Sequence, residues 1–368
     1  MDNKRFHNSF KLNGISFSSE EKMLEYAETI SNSVASFLKD WFNEKDFVIV
    51  QTSGSTGKPK PIKLQKEFMK NSALATGKFF NVSENTTALL CLSTDYIAGK
   101  MMLVRGLILG WQLDIVKPDS NPLKNIKNAE KHYDFSAMVP LQLRNSLSEL
   151  HKIDKLIVGG GVVSSDLIKA IQNIPTNIFA TYGMTETITH IAVKKLNNFK
   201  SHQLVSDANY TILSNVKITT DTRNCLVIEA PKVSEEKIIT NDVVKLISKT
   251  SFEWLGRFDN VINSGGIKLH PEKIEAKLSK IINTRFFVTA INDDFLGEKL
   301  ILIIENSISS EEEKNLKIAI KNLKTLAKFE IPKEIYFMDK FIETETNKIQ
   351  RKKTLQKMYG RTCVFAHT

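Results

Sequence analysis

The sequence predicts an α/β protein: a large amino-terminal part with layers on a parallel sheet and a β-rich segment, then a small α+β part. Three observations predict it. Apolar runs at Leu113-Asp-Ile-Val116, Phe135-Ser-Ala-Met-Val139, Leu156-Ile-Val158 and Ile178-Phe-Ala180 alternate with helical stretches such as 141–150 and 165–172, as in a parallel sheet with crossovers. Residues 209–253 then turn to short β-type runs, including Lys217-Ile-Thr-Thr220, Leu226-Val-Ile228 and Val244-Lys-Leu-Ile247. Farther on, strand-like runs at 286–291, 300–304 and 335–337 flank a charged helix over 309–328. At 368 residues and 42% hydrophobic content, the chain is long enough to bury two such cores.

The net charge of +10 comes from lysines scattered along the whole length, with no run of five or six. That weighs against nucleic acid as a partner and points to anionic small molecules. Cys91, Cys225 and Cys363 are odd in number and widely separated, which excludes a disulfide framework or a cysteine zinc site and suits a reducing cytoplasm. Residues 1–10 are polar and no apolar stretch nears the ~20 residues that span a bilayer, so no membrane insertion is expected.

In chain order, apolar residues at three- and four-residue spacing predict one amphipathic helix over 19–41. The β-branched run Phe47-Val-Ile-Val50 reads as a buried strand leaving into Gln51-Thr-Ser-Gly-Ser-Thr-Gly-Lys-Pro-Lys-Pro61. Such a loop suits phosphate: Gly54 and Gly57 let backbone N–H groups converge, Thr52, Ser53, Ser55 and Thr56 add donors, and Lys58 and Lys60 add charge. A Walker loop would need glycine at Thr52 and a hydroxyl at Pro59, so that pattern is excluded. A helix over 67–80 and a buried strand over 88–92 follow, then the polar turn Ser93-Thr-Asp-Tyr-Ile-Ala-Gly99. The apolar helix over 100–110 carries Arg105 in its middle; that guanidinium either snorkels outward or meets an anion.

Ligands of parallel sheets bind outside the carboxyl ends of strands, where Gly159-Gly160-Gly161 and Thr181-Tyr182-Gly183-Met-Thr185-Glu186-Thr187 fall. The glycines let a flat base lie on backbone and Tyr182 can stack on it, while Thr185 and Glu186 suit an α-phosphate and Mg²⁺.

Together, the 51–61 loop and Tyr182-Gly-Met-Thr-Glu186 resemble the first two core motifs of the acyl-adenylate-forming, or AMP-binding, superfamily of acyl-CoA ligases, luciferases and peptide-synthetase adenylation domains. Thr240-Asn241-Asp242 is similar to its Thr-Gly-Asp. Trp254-Leu-Gly-Arg-Phe-Asp-Asn-Val-Ile-Asn-Ser-Gly-Gly-Ile-Lys-Leu-His-Pro-Glu-Lys-Ile-Glu275 is the strongest match, and Glu345-Thr-Asn-Lys-Ile-Gln-Arg351 resembles the terminal lysine motif without its glycine. The resemblance covers about 46–351 and implies an adenylate-forming fold, divided into 1–258 and a mobile 259–368. It implies that Thr185 contacts the AMP phosphate, Glu186 the metal, Asp242 the ribose hydroxyls and Arg257 the ribose and phosphate region. It further implies that Lys348 is the catalytic lysine, Asp259 the hinge, and Ser264-Gly265-Gly266 the lining of the thiol's approach. The acyl pocket is expected at Tyr96, Gly99 and Arg105, although relatives often show Phe-His-x-Ser-Gly where this chain has Asp95-Tyr-Ile-Ala-Gly99.

The implied partners are ATP with Mg²⁺, a small carboxylic acid and coenzyme A; a homodimer is left open. With the phosphate loop starting at residue 51, a leading subdomain is expected to be missing. Among compact members the pattern is most similar to the o-succinylbenzoate–CoA ligases of menaquinone synthesis. Stand-alone adenylation enzymes that load a carrier-protein thiol share the same motifs.

Overall fold

The computed structural model describes residues 5–51, 61–126, 128, 130–199, 209–306, 309–344 and 349–359. Among them a 13-stranded sheet forms the large part, and its halves are built differently. In one half Asn177–Gly183, Ile153–Val158, Tyr133–Met138, Thr87–Leu90, Gln112–Ile115 and Lys11–Leu12 run parallel, in that spatial order. In the other, His190–Lys195, Tyr210–Ile212, Ser251–Arg257, Ile238–Ser248, Cys225–Glu229 and Lys217–Thr220 are antiparallel. The parallel strands read as unbroken apolar runs because both faces are covered. Ala88, Leu90, Phe135 and Ala137 enter the core shared with helices Lys66–Phe80 and Ile97–Leu109. Leu89, Cys91, Leu156 and Val158 enter a second core on the opposite face.

Beyond Arg257, a separate five-stranded sheet takes Ile262–Ser264, Ile267–Leu269, Phe286–Asp293, Gly297–Glu305 and Glu334–Met338. Helix Pro271–Leu278 covers one face with Ile274 and Leu278, while Phe341 and Leu355 cover the other.

Several expected elements are subdivided. The helix expected over 19–41 is two helices, Glu20–Ile30 and Asn32–Phe42, because Ser31 leaves helical geometry (φ −168°) and its hydroxyl caps the second by accepting from Val34 N–H at 3.2 Å. The buried strand expected at 47–50 is Phe47–Gln51, and it is buried on one side only. It pairs only with Pro61–Gln65 in a two-stranded ribbon, where Val48 and Val50 are buried and Ile49 is exposed. The 141–150 helix is Pro140–Asn145 followed by the 3₁₀ turn Leu147–Lys152, broken at Ser146, whose side chain turns to Asn121. The 309–328 helix ends at Lys321. Glu330 accepts from Ala327 N–H at 2.7 Å and pairs with Lys277, pinning a separate turn over Lys328–Glu330.

Candidate adenylate-forming site

Two adjacent parallel strands deliver the central motifs. Val158 pairs with Ala180, so Gly159–Gly161 and the Tyr182-Gly183 end emerge side by side. Gly160 has φ +79°, a left-handed conformation that a side chain disfavours, and a Cβ on Gly159 would stand 2.6 Å from Thr181 Oγ1. Glycine is thus required at 159 by packing on Thr181 and favoured at 160 by the backbone.

After Gly183 the chain makes a 3₁₀ turn, Thr185–Thr187, with Thr185 half-buried and Glu186 exposed. Thr187 holds this turn from inside, accepting from Met184 N–H at 3.0 Å and donating to carbonyl oxygens. Next stands Ile188 at φ +66°, ψ −63°, closed by Thr189 N–H donating to Thr187 O at 2.7 Å. A β-branched residue in this γ-turn stores strain of about 1–3 kcal/mol and sets the aim of Thr185 and Glu186.

Asp242 is buried and accepts from the Tyr182 hydroxyl at 2.8 Å and from Trp254 Nε1 at 3.1 Å. Burial, and then the Asp242 carboxylate, push the Tyr182 hydroxyl far up, so it remains a donor. The Tyr182 ring is only 9% exposed, edge-on to Tyr210 and Phe252. Little of that ring is left for a base to stack on; what the structure adds is its grip on Asp242. Arg257 approaches the same carboxylate at 4.0 Å and donates to Asp259 at 3.2 Å. Tyr182, Asp242, Arg257 and Asp259 thus form one continuous polar chain from the sheet to its edge.

Arg105 does not snorkel. It is 2% exposed and donates to Thr76 Oγ1 at 3.3 Å and Thr189 Oγ1 at 3.2 Å, with no carboxylate in ion-pair range among the described residues. Burial pulls its pKa down to about 10. His190 lies 3.5 Å from Thr76 Oγ1; burial, then the Arg105 charge, hold its imidazole well below the usual value, so two basic groups share one buried cluster. Thr189 belongs to the turn that carries Thr185 and Glu186, and its carbonyl backs onto Gly183, where a Cβ would come within 2.0 Å. The structure therefore brings Arg105 to the adenylate motif. Tyr96 is not brought along: exposed at the amino-terminal cap of the Ile97–Leu109 helix, it stands about 13 Å along the axis from Arg105. Gly99 is required by packing, since a Cβ would meet Ser93 O at 2.2 Å.

Ser264 is buried, while Gly265 and Gly266 (φ +59° and +77°) make the tight turn between Ile262–Ser264 and Ile267–Leu269. Residues Thr52, Ser53, Gly54, Ser55, Thr56, Gly57 and Lys58, and also Lys348, lie outside the described residues.

Sequence reasoning missed Thr76, Thr189 and His190 around Arg105, and Trp254 on Asp242. Polar residues inside otherwise apolar helix and strand faces were the available signal; which of them converge is a tertiary fact.

The fold and these strand ends define a class, the adenylate-forming enzymes. The family model described as AMP-binding enzyme matches residues 11–219, more than half of the chain, and the chain belongs to that family of acyl-adenylate-forming acid–thiol ligases. The structure of an acyl-CoA synthetase (AMP-forming)/AMP-acid ligase II-like protein from Dyadobacter fermentans is 35% identical, with a TM-score of 0.59 over 89% of this chain and 95% of that one. The o-succinylbenzoate coenzyme A synthetase of Bacillus subtilis, in complex with ATP and magnesium ion, shares the fold at TM-score 0.71 and 18% identity, over 92% of this chain and 82% of that one. In sequence, the 2-succinylbenzoate–CoA ligase of Lactococcus lactis is 25% identical over 331 residues, 85% of this chain and 71% of the relative. No helix among the described residues is long and apolar enough to cross a membrane.

Proposed function

We propose that the chain is a cytoplasmic ligase that activates o-succinylbenzoate with ATP as an acyl-adenylate and then transfers the acyl group to coenzyme A, in menaquinone biosynthesis. The observation that carries this reading is Arg105: a buried cation beside the adenylate motif, hydrogen-bonded among the described residues only to hydroxyls, is matched by an acid with a second, non-reacting carboxylate. The likeness to succinylbenzoate ligases supports the same substrate.

In this reading residues 52–58 hold the triphosphate, Gly159–Gly161 and the backbone of Tyr182-Gly183 the base, and Asp242, held by the Tyr182 hydroxyl, and Arg257 the ribose. The carboxylate oxygen bonds to the α-phosphorus as the bond to pyrophosphate breaks. Lys348 and Thr185 face the charge that gathers there. Mg²⁺ fits beside exposed Glu186 and would neutralise phosphate charge; no described cluster of three His, Cys, Asp or Glu could hold a metal alone, so phosphate oxygens would complete its shell. In the second step the thiol sulfur bonds to the acyl carbon, its proton leaves, and AMP departs. For this the 259–368 part turns about Asp259, exchanging Lys348 for the Ser264-Gly265-Gly266 turn.

The test is ATP–pyrophosphate exchange across small aromatic and dicarboxylic acids, followed by assay of thioester with CoA or a carrier protein. Exchange with o-succinylbenzoate and a CoA thioester are expected; a thioester on the carrier alone overturns the ligase assignment. Lys348→Ala should abolish exchange while supplied acyl-adenylate is still converted to thioester. Equal loss of both steps would remove Lys348 from its role.

A further inference from the structure

Where the 13-stranded sheet gives way to the small one, Asp259 is met from two sides. Arg257 donates to its Oδ2 at 3.2 Å, and Asn241 Nδ2 reaches the same oxygen at 3.4 Å. Asn241 is held in turn by Arg223, whose Nη1 donates to Asn241 Oδ1 at 2.9 Å and whose Nη2 donates to Thr240 O at 3.2 Å. Arg223 does not move freely. Asp221 Oδ2 accepts from its Nε at 2.8 Å, and Asp221 Oδ1 accepts the N–H groups of Arg223 and Cys225 at 2.8 and 2.9 Å, closing the turn between the Lys217–Thr220 and Cys225–Glu229 strands. The Arg223 guanidinium also lies 5.1 Å from the Phe258 ring centroid, against the residue just before Asp259.

These contacts have a sequence origin. The superfamily pattern that this chain resembles has glycine where Asn241 stands, and glycine has no side chain to span from Arg223 to Asp259. The amide does so with both ends used: its oxygen accepts from a cation and its nitrogen donates to a carboxylate, an orientation that each partner's charge enforces. The next residue is Asp242, whose carboxylate the Tyr182 and Trp254 donors hold in the interior. One residue therefore stands between the nucleotide-side carboxylate and the junction of the two sheets.

We propose that Asn241 is a positioning residue: with Arg223 it latches Asp259 in the arrangement seen here and couples turning of the small sheet to the Asp242 site. The proposal rests on the reading of Asp259 as the pivot between half-reactions. Turning about Asp259 breaks the Asn241 and Arg257 contacts together; the Asn241 contact is long and exposed, so its own share is that of an ordinary hydrogen bond. Its loss shifts the balance of arrangements roughly threefold to tenfold.

The experiment measures the distance between the two parts directly. Spin labels are placed at Lys169→Cys and Lys314→Cys, both exposed, in the full chain carrying Cys363→Ser. The unsubstituted latch should give one dominant distance. Asn241→Ala should raise a second population threefold to tenfold, and Asn241→Asp, which keeps an acceptor for Arg223 but repels Asp259, at least as much. Exchanging the partners, Asn241→Asp with Asp259→Asn, restores donor and acceptor and should return the dominant distance. In the same variants the ratio of pyrophosphate exchange to thioester formation from supplied adenylate should move with the second population and be restored by the exchange. An unchanged distance distribution in Asn241→Ala overturns the latch, as does failure of the exchanged pair to rescue. If no acid supports pyrophosphate exchange in the unsubstituted chain, the enzymatic reading fails while the distances still decide the latch.

Discussion

Arg105, inside the core of the large sheet, and Arg351, beside the small one, are both largely removed from water, yet among the described residues only Arg351 is met by carboxylates. Arg351 pairs with Glu275 at 2.6 Å, approaches Glu272 at 3.8 Å, donates to Val288 O at 2.8 Å and lies over the Phe287 ring. Burial works against its charge, but Glu275 and Glu272 outweigh it and raise its pKa. Arg105 has hydroxyls only, and burial lowers its pKa to about 10. Burying a cation is expensive, and where the chain itself compensates it the arginine serves the fold. Where hydroxyls alone meet it, the charge keeps an unmet electrostatic demand, which the proposed second carboxylate would answer.

The sharpest way to break this comparison is to remove each guanidinium in turn. Arg351→Met leaves Glu275, half-buried and tied to Val288 N–H, without its counter-charge, and should lower stability by about 2 kcal/mol in urea titration, less than a fully buried pair would lose. A change below about 1 kcal/mol would mean that Glu275 takes up a proton at little expense and that the pair is not structural. Arg105→Met should behave in the opposite sense. Thr76 keeps its bond to Ser72 O and Thr189 its contact with Ser72, so stability should change by less than about 1 kcal/mol. By contrast, kcat/KM for o-succinylbenzoate should fall roughly tenfold to a hundredfold, with ATP binding little altered. Equal losses with an analogue lacking the second carboxylate would make Arg105 structural after all.

A smaller effect probes how dry the Arg105 cluster is. His190 is neutral in the folded chain, with its pKa well below 6.5, while the unfolded chain takes up a proton near 6.5. The unfolded state therefore binds more protons as pH falls below about 6.5, and stability present above that pH is lost on acidification, by up to about 1.4 kcal/mol per pH unit. Urea titrations at pH 7.5 and 5.5 should show a shallower loss in His190→Gln. Equal slopes would mean that His190 is hydrated in the folded state.

The same contrast explains what could be read in the residues beforehand. Arg105 stood out because a charge among Met102, Leu103, Val104 and Leu107 breaks an apolar face, and the question of snorkelling or an anion could be posed from the pattern alone. Its answer depended on Thr76 and Thr189, which are distant in sequence and belong to a helix and to a turn beyond a strand. Arg351 was legible only as the end of the stretch that resembles the terminal lysine motif, since Glu272 and Glu275 lie about eighty residues earlier. Tyr182 was found as part of a motif, whereas its bond to Asp242 crosses sixty residues.

Local order of chemistry was thus set by the chain itself: apolar runs with period two or three to four, glycines where backbone must be bare, and motifs in sequence at strand ends. These signals are short-range because strand, helix and turn preferences act over a few residues. Ser31, which splits one apolar-periodic stretch into two helices, and the ribbon of Phe47–Gln51 with Pro61–Gln65 show where even this reading gave way to hydrogen bonds made in three dimensions. Which charges are compensated was decided only by the tertiary structure. Burial and ion pairing depend on distance in space, and the strands that bring Asp242 to Tyr182, or Arg351 to Glu275, are joined by packing across the sheets and not by neighbourhood along the chain.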